Sequence, residues 1–167
     1  MRPIPMESSS CYTKRLSRGC RLCRKGAKMV LLVTGRCGES CYYCPLSEAK
    51  KGKDVVYADE LLVSRDEDII LEAEAIGARG TGITGGDPLM AMERTVRYIR
   101  LLKERFGPGH HVHLYTATVD RQKFLELKEA GLLDSPCPEG VSSPVFNKPV
   151  VKAMCLHAAH DCNLRCR

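Results

Sequence analysis

VLLVTGRCGESCYYCP, residues 30–45, opens with the apolar run Val30-Leu31-Leu32-Val33, passes Thr34-Gly35 and enters three cysteines at the spacing C-x3-C-x2-C. A short apolar run bounded by a turn signal reads as a buried strand, here opening into a loop that carries Cys37, Cys41 and Cys44. Three thiolates are soft ligands that both zinc and iron–sulfur clusters accept. A structural zinc site normally closes with a fourth ligand, whereas a [4Fe-4S] cluster held by three cysteines keeps one iron open. The spacing alone leaves a cluster loop and a zinc knuckle both standing.

Outward toward the C-terminus, a second apolar stretch, residues 81–84, runs directly into Gly85-Gly86-Asp87-Pro88. Between the two motifs, residues 45–52 read as a short helical turn ended by glycine, and residues 54–57 as a small extended piece. Ser64-Arg65-Asp66-Glu67 matches the capping box S-x-x-E, and Ile69, Ile70, Ala73 and Ile76 share a face, predicting a helix over 65–76 that stops at Gly77. The spacing of Met92, Val96, Ile99, Leu102 and Phe106 predicts a helix over 89–106, with its methionines as core filler, ended by Gly107-Pro108. Residues 111–116 alternate like a strand, and Asp120 caps a further helix over 121–130. His110, His111 and His113 sit at that strand's entrance without acidic neighbours, which favours a surface position over a metal site.

Repeated strand and helix alternation implies an α/β fold with parallel strands, and both motif loops follow the C-terminal ends of strands, the edge where such folds build their sites. Gly80-x-Gly82-x-x-Gly85 also matches the dinucleotide fingerprint, but a helix precedes it and the match itself reads as strand, the reverse of what that fingerprint requires.

The 167 residues suffice for one ordinary core, and 44% apolar with 28% charged residues is a globular composition. No apolar run is long enough for a membrane span, and MRPIPM at residues 1–6 starts no secretion signal. Ten cysteines then argue for metal binding in a reducing cytoplasm rather than for disulfides. The net charge of +6 resides in residues 1–28, where eight Lys or Arg face the single acid Glu7. That segment suits RNA or an acidic partner, or is a solvated arm; it has one aromatic, Tyr12, and no nucleic-acid-binding motif. It also holds Cys11 and the pair Cys20-Arg-Leu-Cys23, which either grip a second metal or remain free thiols. Residues 132–149, rich in Pro, Ser and Gly, read as a linker, and 150–167 repeat an apolar run followed by C-x3-C at Cys162 and Cys166. Cys137 and Cys155 read as incidental thiols.

The cysteine loop, with aromatic Tyr43 just before its third cysteine, and the Gly-Gly-Asp-Pro turn together resemble the radical S-adenosylmethionine (SAM) superfamily, in particular the proteins related to pyruvate formate-lyase activating enzyme. The resemblance covers roughly Cys11 to Gly131, and residues 29–131 would form a partial domain of that kind. The tail, 150–167, looks like the truncated start of a radical SAM peptide maturase. The implied fold is a partial (β/α) barrel of parallel strands, incomplete at about three β/α units. The resemblance implies that Cys37, Cys41 and Cys44 ligate three irons of a [4Fe-4S] cluster and that SAM chelates the fourth. Gly85, Gly86 and Asp87 would meet the SAM ammonium, Asp87 standing where glutamate is commoner; Tyr43 would pack near the adenine, and Thr116 would face the site. The implied activity is one-electron cleavage of SAM to a 5′-deoxyadenosyl radical that abstracts hydrogen from an unknown substrate, with flavodoxin or ferredoxin as electron donor. A different class, a zinc- or iron-stabilised module binding nucleic acid or a protein, is the alternative, as is a non-functional fragment.

Overall fold

The computed structural model describes residues 4–5, 11–12 and 17–132. The expected linker and second cluster-like segment, apart from Leu132, lie outside the described residues, as do Cys137, Cys155, Cys162 and Cys166. Near the N-terminus, β1 (Ile4–Pro5) pairs antiparallel with β2 (Cys11–Tyr12). Helix α1 (Arg18–Arg24) follows, its first turn held by the Ser17 hydroxyl, which accepts from the Cys20 N–H at 3.2 Å.

Strand β3 (Met29–Leu32) is the centre of the main sheet. It leads into the cysteine loop, after which β4 (Tyr57–Ala58) pairs antiparallel with β3 and β5 (Leu61–Leu62) pairs antiparallel with β4 as a hairpin. The turn between them uses Asp59 at φ 50°, a left-handed conformation that aspartate tolerates. Then come α2 (Asp66–Ala75), β6 (Gly80–Thr84), a 3₁₀ turn (Pro88–Ala91), α3 (Met92–Phe106), β7 (His111–Leu114) and α4 (Arg121–Glu129). The sheet order is β5-β4-β3-β6-β7, with β3, β6 and β7 parallel.

The expected three parallel β/α units are therefore present, but the sheet is mixed: residues after the cysteine loop add two antiparallel strands on the far side of β3, and among the described residues the five strands form an open sheet. Two further expectations change. Helix α2 is capped not by Ser64 and Glu67 but by the Asp68 carboxylate, which accepts from the N–H groups of Ser64 and Arg65, both at 2.9 Å. The segment expected to be one helix over 89–106 is divided at Met92, because Asp87 turns its carboxylate onto the Leu89 N–H and tightens the first turn to 3₁₀.

Alternation along the strands sends Met29, Leu31, Ile83 and Val112 to one face, where they pack with Ile69 of α2, Ile99 and Leu102 of α3 and Leu127 of α4. Helix α1 lies on the other face: a Cβ on Gly19 would stand 3.1 Å from the His113 ring and 3.2 Å from the His111 ring. The histidines are thus inside rather than on the surface. His110 and His111 are buried, His110 exchanging a hydrogen bond with the Thr81 hydroxyl at 2.9 Å and stacking on Phe106 at 5.0 Å. Burial, with the positive Lys28 nearby, holds the His113 imidazole well below its usual range, at about 3.

Candidate functional site

The C-terminal ends of β3, β6 and β7 meet at one edge of the sheet. The chain leaves β3 through Val33 and Thr34, both buried, and the Val33 N–H donates to Thr84 O at 2.9 Å, continuing the ladder one step beyond the strand. The turn after β6 then docks on the start of the cysteine loop entirely through main-chain groups: the Gly86 N–H donates to Thr34 O and the Asp87 N–H to Arg36 O, both at 2.7 Å. This approach explains the two glycines. A Cβ on Gly85 would come within 2.5 Å of Thr34 O, and one on Gly86 within 2.2 Å of Arg36 O. On its other side, the loop is tied by the Gly35 N–H to Lys53 O and the Gly52 N–H to Gly35 O, each 2.8 Å, and a Cβ on Gly35 would fall 1.6 Å from Lys50 O.

Asp87 is only 2% exposed. Its Oδ1 accepts from the Leu89 N–H at 3.0 Å and from the Thr116 hydroxyl at 2.7 Å, and its Oδ2 accepts from the Thr118 hydroxyl at 2.5 Å. The carboxylate therefore binds the segment after β7 to the turn after β6. Three charge-assisted donors offset much of the desolvation that burial imposes on the anion. Oδ2, with one donor, retains acceptor capacity for a cation.

A second carboxylate braces the loop from outside. Asp54 accepts from Arg94 through both oxygens, at 2.7 and 3.2 Å, and from the buried Thr34 hydroxyl at 3.0 Å, while Arg94 also donates to Val33 O at 3.0 Å. The Arg94 hydrogen bond, helped by that from Thr34, holds the Asp54 carboxyl down at about 2. Asp54, Arg94 and Thr118 were not singled out by sequence reasoning. Asp54 and Arg94 stand 40 positions apart, and no local pattern links them.

The cysteine loop itself is open. Cys37 is exposed, Cys41 and Cys44 are half-buried, and all three are free thiols. The Cys44 N–H donates to Cys41 O at 3.2 Å, giving a turn between the last two cysteines, and Cys37 Sγ accepts from the Glu39 N–H at 3.4 Å. Tyr43, 55% exposed, packs edge-on to Tyr42 at 5.0 Å, and its hydroxyl is pushed above the usual tyrosine range by the Cys41 thiol hydrogen-bonded to it. Among the described residues no three Cys, His, Asp or Glu side chains converge as a ready-made metal group. The structure thus joins Gly85, Gly86, Asp87 and Thr116, sets the cysteine loop against them, and leaves Tyr43 at the rim. The donor set fits a cluster: three soft thiols on one short open loop, one already receiving an amide N–H of the kind that tunes cluster sulfurs. Cys20 and Cys23, read as ligands of a second metal or as free thiols, lie on α1 outside any disulfide, Cys20 half-buried and Cys23 exposed.

No helix among the described residues is long and apolar enough to cross a membrane. Comparison with known proteins adds the lineage. Residues 31–136 match the family model described as the Radical SAM superfamily. A Methanocaldococcus jannaschii protein named as a glycyl-radical enzyme activating enzyme is 42% identical over 144 residues, covering 84% of this chain. The chain spans 38% of that relative's length. No solved structure matches it.

Proposed function

The chain belongs to the radical SAM superfamily, a family of enzymes, and we propose that Cys37, Cys41 and Cys44 hold a [4Fe-4S] cluster beside a SAM site at Gly85-Gly86-Asp87. The observation that carries this reading is the main-chain docking of the two motif loops, with Gly86 on Thr34 and Asp87 on Arg36 at 2.7 Å. Cluster and SAM together would supply one-electron reductive cleavage of SAM and hydrogen abstraction from a substrate.

The chain's own residues then divide the work. The three thiolates would anchor the cluster at the open end of the loop, while Thr34, Gly35 and Asp54 keep the loop's root fixed. Asp87 offers negative charge and spare acceptor capacity on Oδ2 to an ammonium group, and the hydroxyls of Thr116 and Thr118 keep that carboxylate in place. Tyr43 would flank the adenine from the rim. An electron donor of the flavodoxin or ferredoxin type would reduce the cluster through the exposed loop. The relative's name supports a glycyl-radical enzyme as the class of substrate in this reading.

The test is anaerobic reconstitution of the chain with iron and sulfide, followed by EPR of the reduced protein with and without SAM. A cluster signal that shifts on adding SAM is expected, as is its loss in Cys41→Ala and its retention in Cys162→Ala. A colourless protein that takes up zinc, or a cluster signal indifferent to SAM, would instead favour the zinc- or iron-stabilised binding module.

A further inference from the structure

The parallel strands have a second edge, opposite the motif loops, and it carries an open pocket of about 480 Å³. Arg18 and Arg21 of α1 and Lys25 at its C-terminal end line it, together with Arg79, which immediately precedes β6; Leu22 and Phe106 supply apolar wall. Volume places it in the range of small-molecule sites. Arg79 and Gly85 lie at opposite ends of β6, so about 15 Å of strand separates this cavity from the cofactor edge.

The charge distribution is the informative feature. Four cationic side chains, three Arg and one Lys, line the pocket without a carboxylate among its lining residues, and none of the four forms an ion pair among the described residues. Arg18 is oriented by its own hydrogen bond, Nη2 donating to Gly109 O at 2.6 Å. Several other cations are paired with acids, Arg94 with Asp54, Lys50 with Glu60 and Arg97 with Asp66 among them. Like charges gathered in a concave site repel one another and focus a positive potential that a polyvalent anion relieves. Guanidinium groups match phosphate oxygens in particular, since their fork donates two parallel hydrogen bonds. Phe106, stacked on His110 with 24° between planes, adds a flat wall for an organic group.

We propose that this cavity binds a phosphate-bearing small molecule, its phosphate among Arg18, Arg21, Lys25 and Arg79 and its organic part against Leu22 and Phe106. The site is independent of the cluster and of SAM. A nucleic acid is the less favoured occupant, because the four cations surround one pocket rather than tracking along a surface.

Calorimetric titration of the full chain, at constant ionic strength, with inorganic phosphate, phenyl phosphate and phenol tests this. Saturable one-to-one binding is expected for phenyl phosphate, weaker binding for inorganic phosphate, and none for phenol. Arg21 and Arg79 are exposed, so Arg21→Gln and Arg79→Gln should fold normally and each lower the affinity about tenfold, the effect of losing one charged contact. Arg100→Gln, exposed on α3, should change it by less than about twofold. Cys37→Ala should bind phenyl phosphate as the unaltered chain does, which separates this outcome from any failure to assemble a cluster. Absence of saturation at millimolar phenyl phosphate, equal losses from Arg79→Gln and Arg100→Gln, or tight binding of a single-stranded RNA oligonucleotide without phenyl phosphate binding would each overturn the proposal.

Discussion

Replacing Asp54 by asparagine keeps the side chain's shape while removing its charge, and so isolates what the Arg94 pair contributes to the root of the cysteine loop. The carboxyl is held at about 2 against an ordinary 3.8. At about 1.4 kcal/mol per tenfold change in acidity, that difference corresponds to a little over 2 kcal/mol. Asp54 keeps 30% of its side-chain surface in water, so screening reduces the expected effect to about 1.5–2 kcal/mol. The sign follows from the direction of the displacement. A carboxyl more acidic in the folded chain stabilises fully above 3.8, and that stabilisation disappears as the pH falls through about 2. Urea unfolding of the cluster-free chain, with and without Asp54→Asn, should therefore differ by about 1.5–2 kcal/mol near neutral pH and converge toward zero near pH 2. Other titrating groups contribute to both proteins and cancel in the difference. A difference that stays constant across this range would refute the ion-pair reasoning and assign the effect to packing.

Three further outcomes are expected. Gly86→Ala should destabilise the chain by about 3 kcal/mol or more, read by thermal unfolding, because its Cβ would meet Arg36 O at 2.2 Å; Gly38→Ala in the same loop, with nothing within 4 Å, should be neutral within about 0.5 kcal/mol. Thr118→Val removes the hydroxyl donor to the Asp87 carboxylate and should lower stability by about 1–2 kcal/mol in urea unfolding, while Thr118→Ser should restore most of it. His113 is held neutral by burial, at about 3 instead of 6.5, so the unfolded chain takes up a proton that the folded chain refuses as pH falls between those values. The unfolding free energy should therefore decline across that window, and His113→Gln should flatten the decline; an unchanged slope would locate the acid sensitivity elsewhere.

The parts of the fold that were legible in the sequence are those specified locally. Strands β3, β6 and β7 each coincide with an apolar or alternating run, and α2 and α3 with a helical period, because each buries a continuous face against the same core, while α4 is marked by its Asp120 cap. Strands β4 and β5 have two residues each, too few for a period, and exist because β3 offers an edge to β4 and β4 one to β5. The histidines before and within β7 read as surface residues; what buries them is Thr81 and α1, elements far away in sequence. Within the site, the cysteine and glycine motifs were visible, whereas their bracing was not. Asp54 with Arg94, and Asp87 with Thr118, meet only once the strands are side by side, 40 and 31 positions apart. Even the glycines had a second meaning: read as giving room to a ligand, they give room first to the backbone of the neighbouring loop.

The docking of one motif on the other through Thr34 O and Arg36 O has a consequence for how such a protein can change over generations. Every residue presents the same carbonyl, so position 36 can be rewritten without altering the joint, while positions 85 and 86 admit almost no alternative. The alphabet is therefore constrained on only one side of the contact. Loop side chains remain free to drift toward a new reductant or substrate while the joint that sets the spacing of the two loops is inherited unchanged.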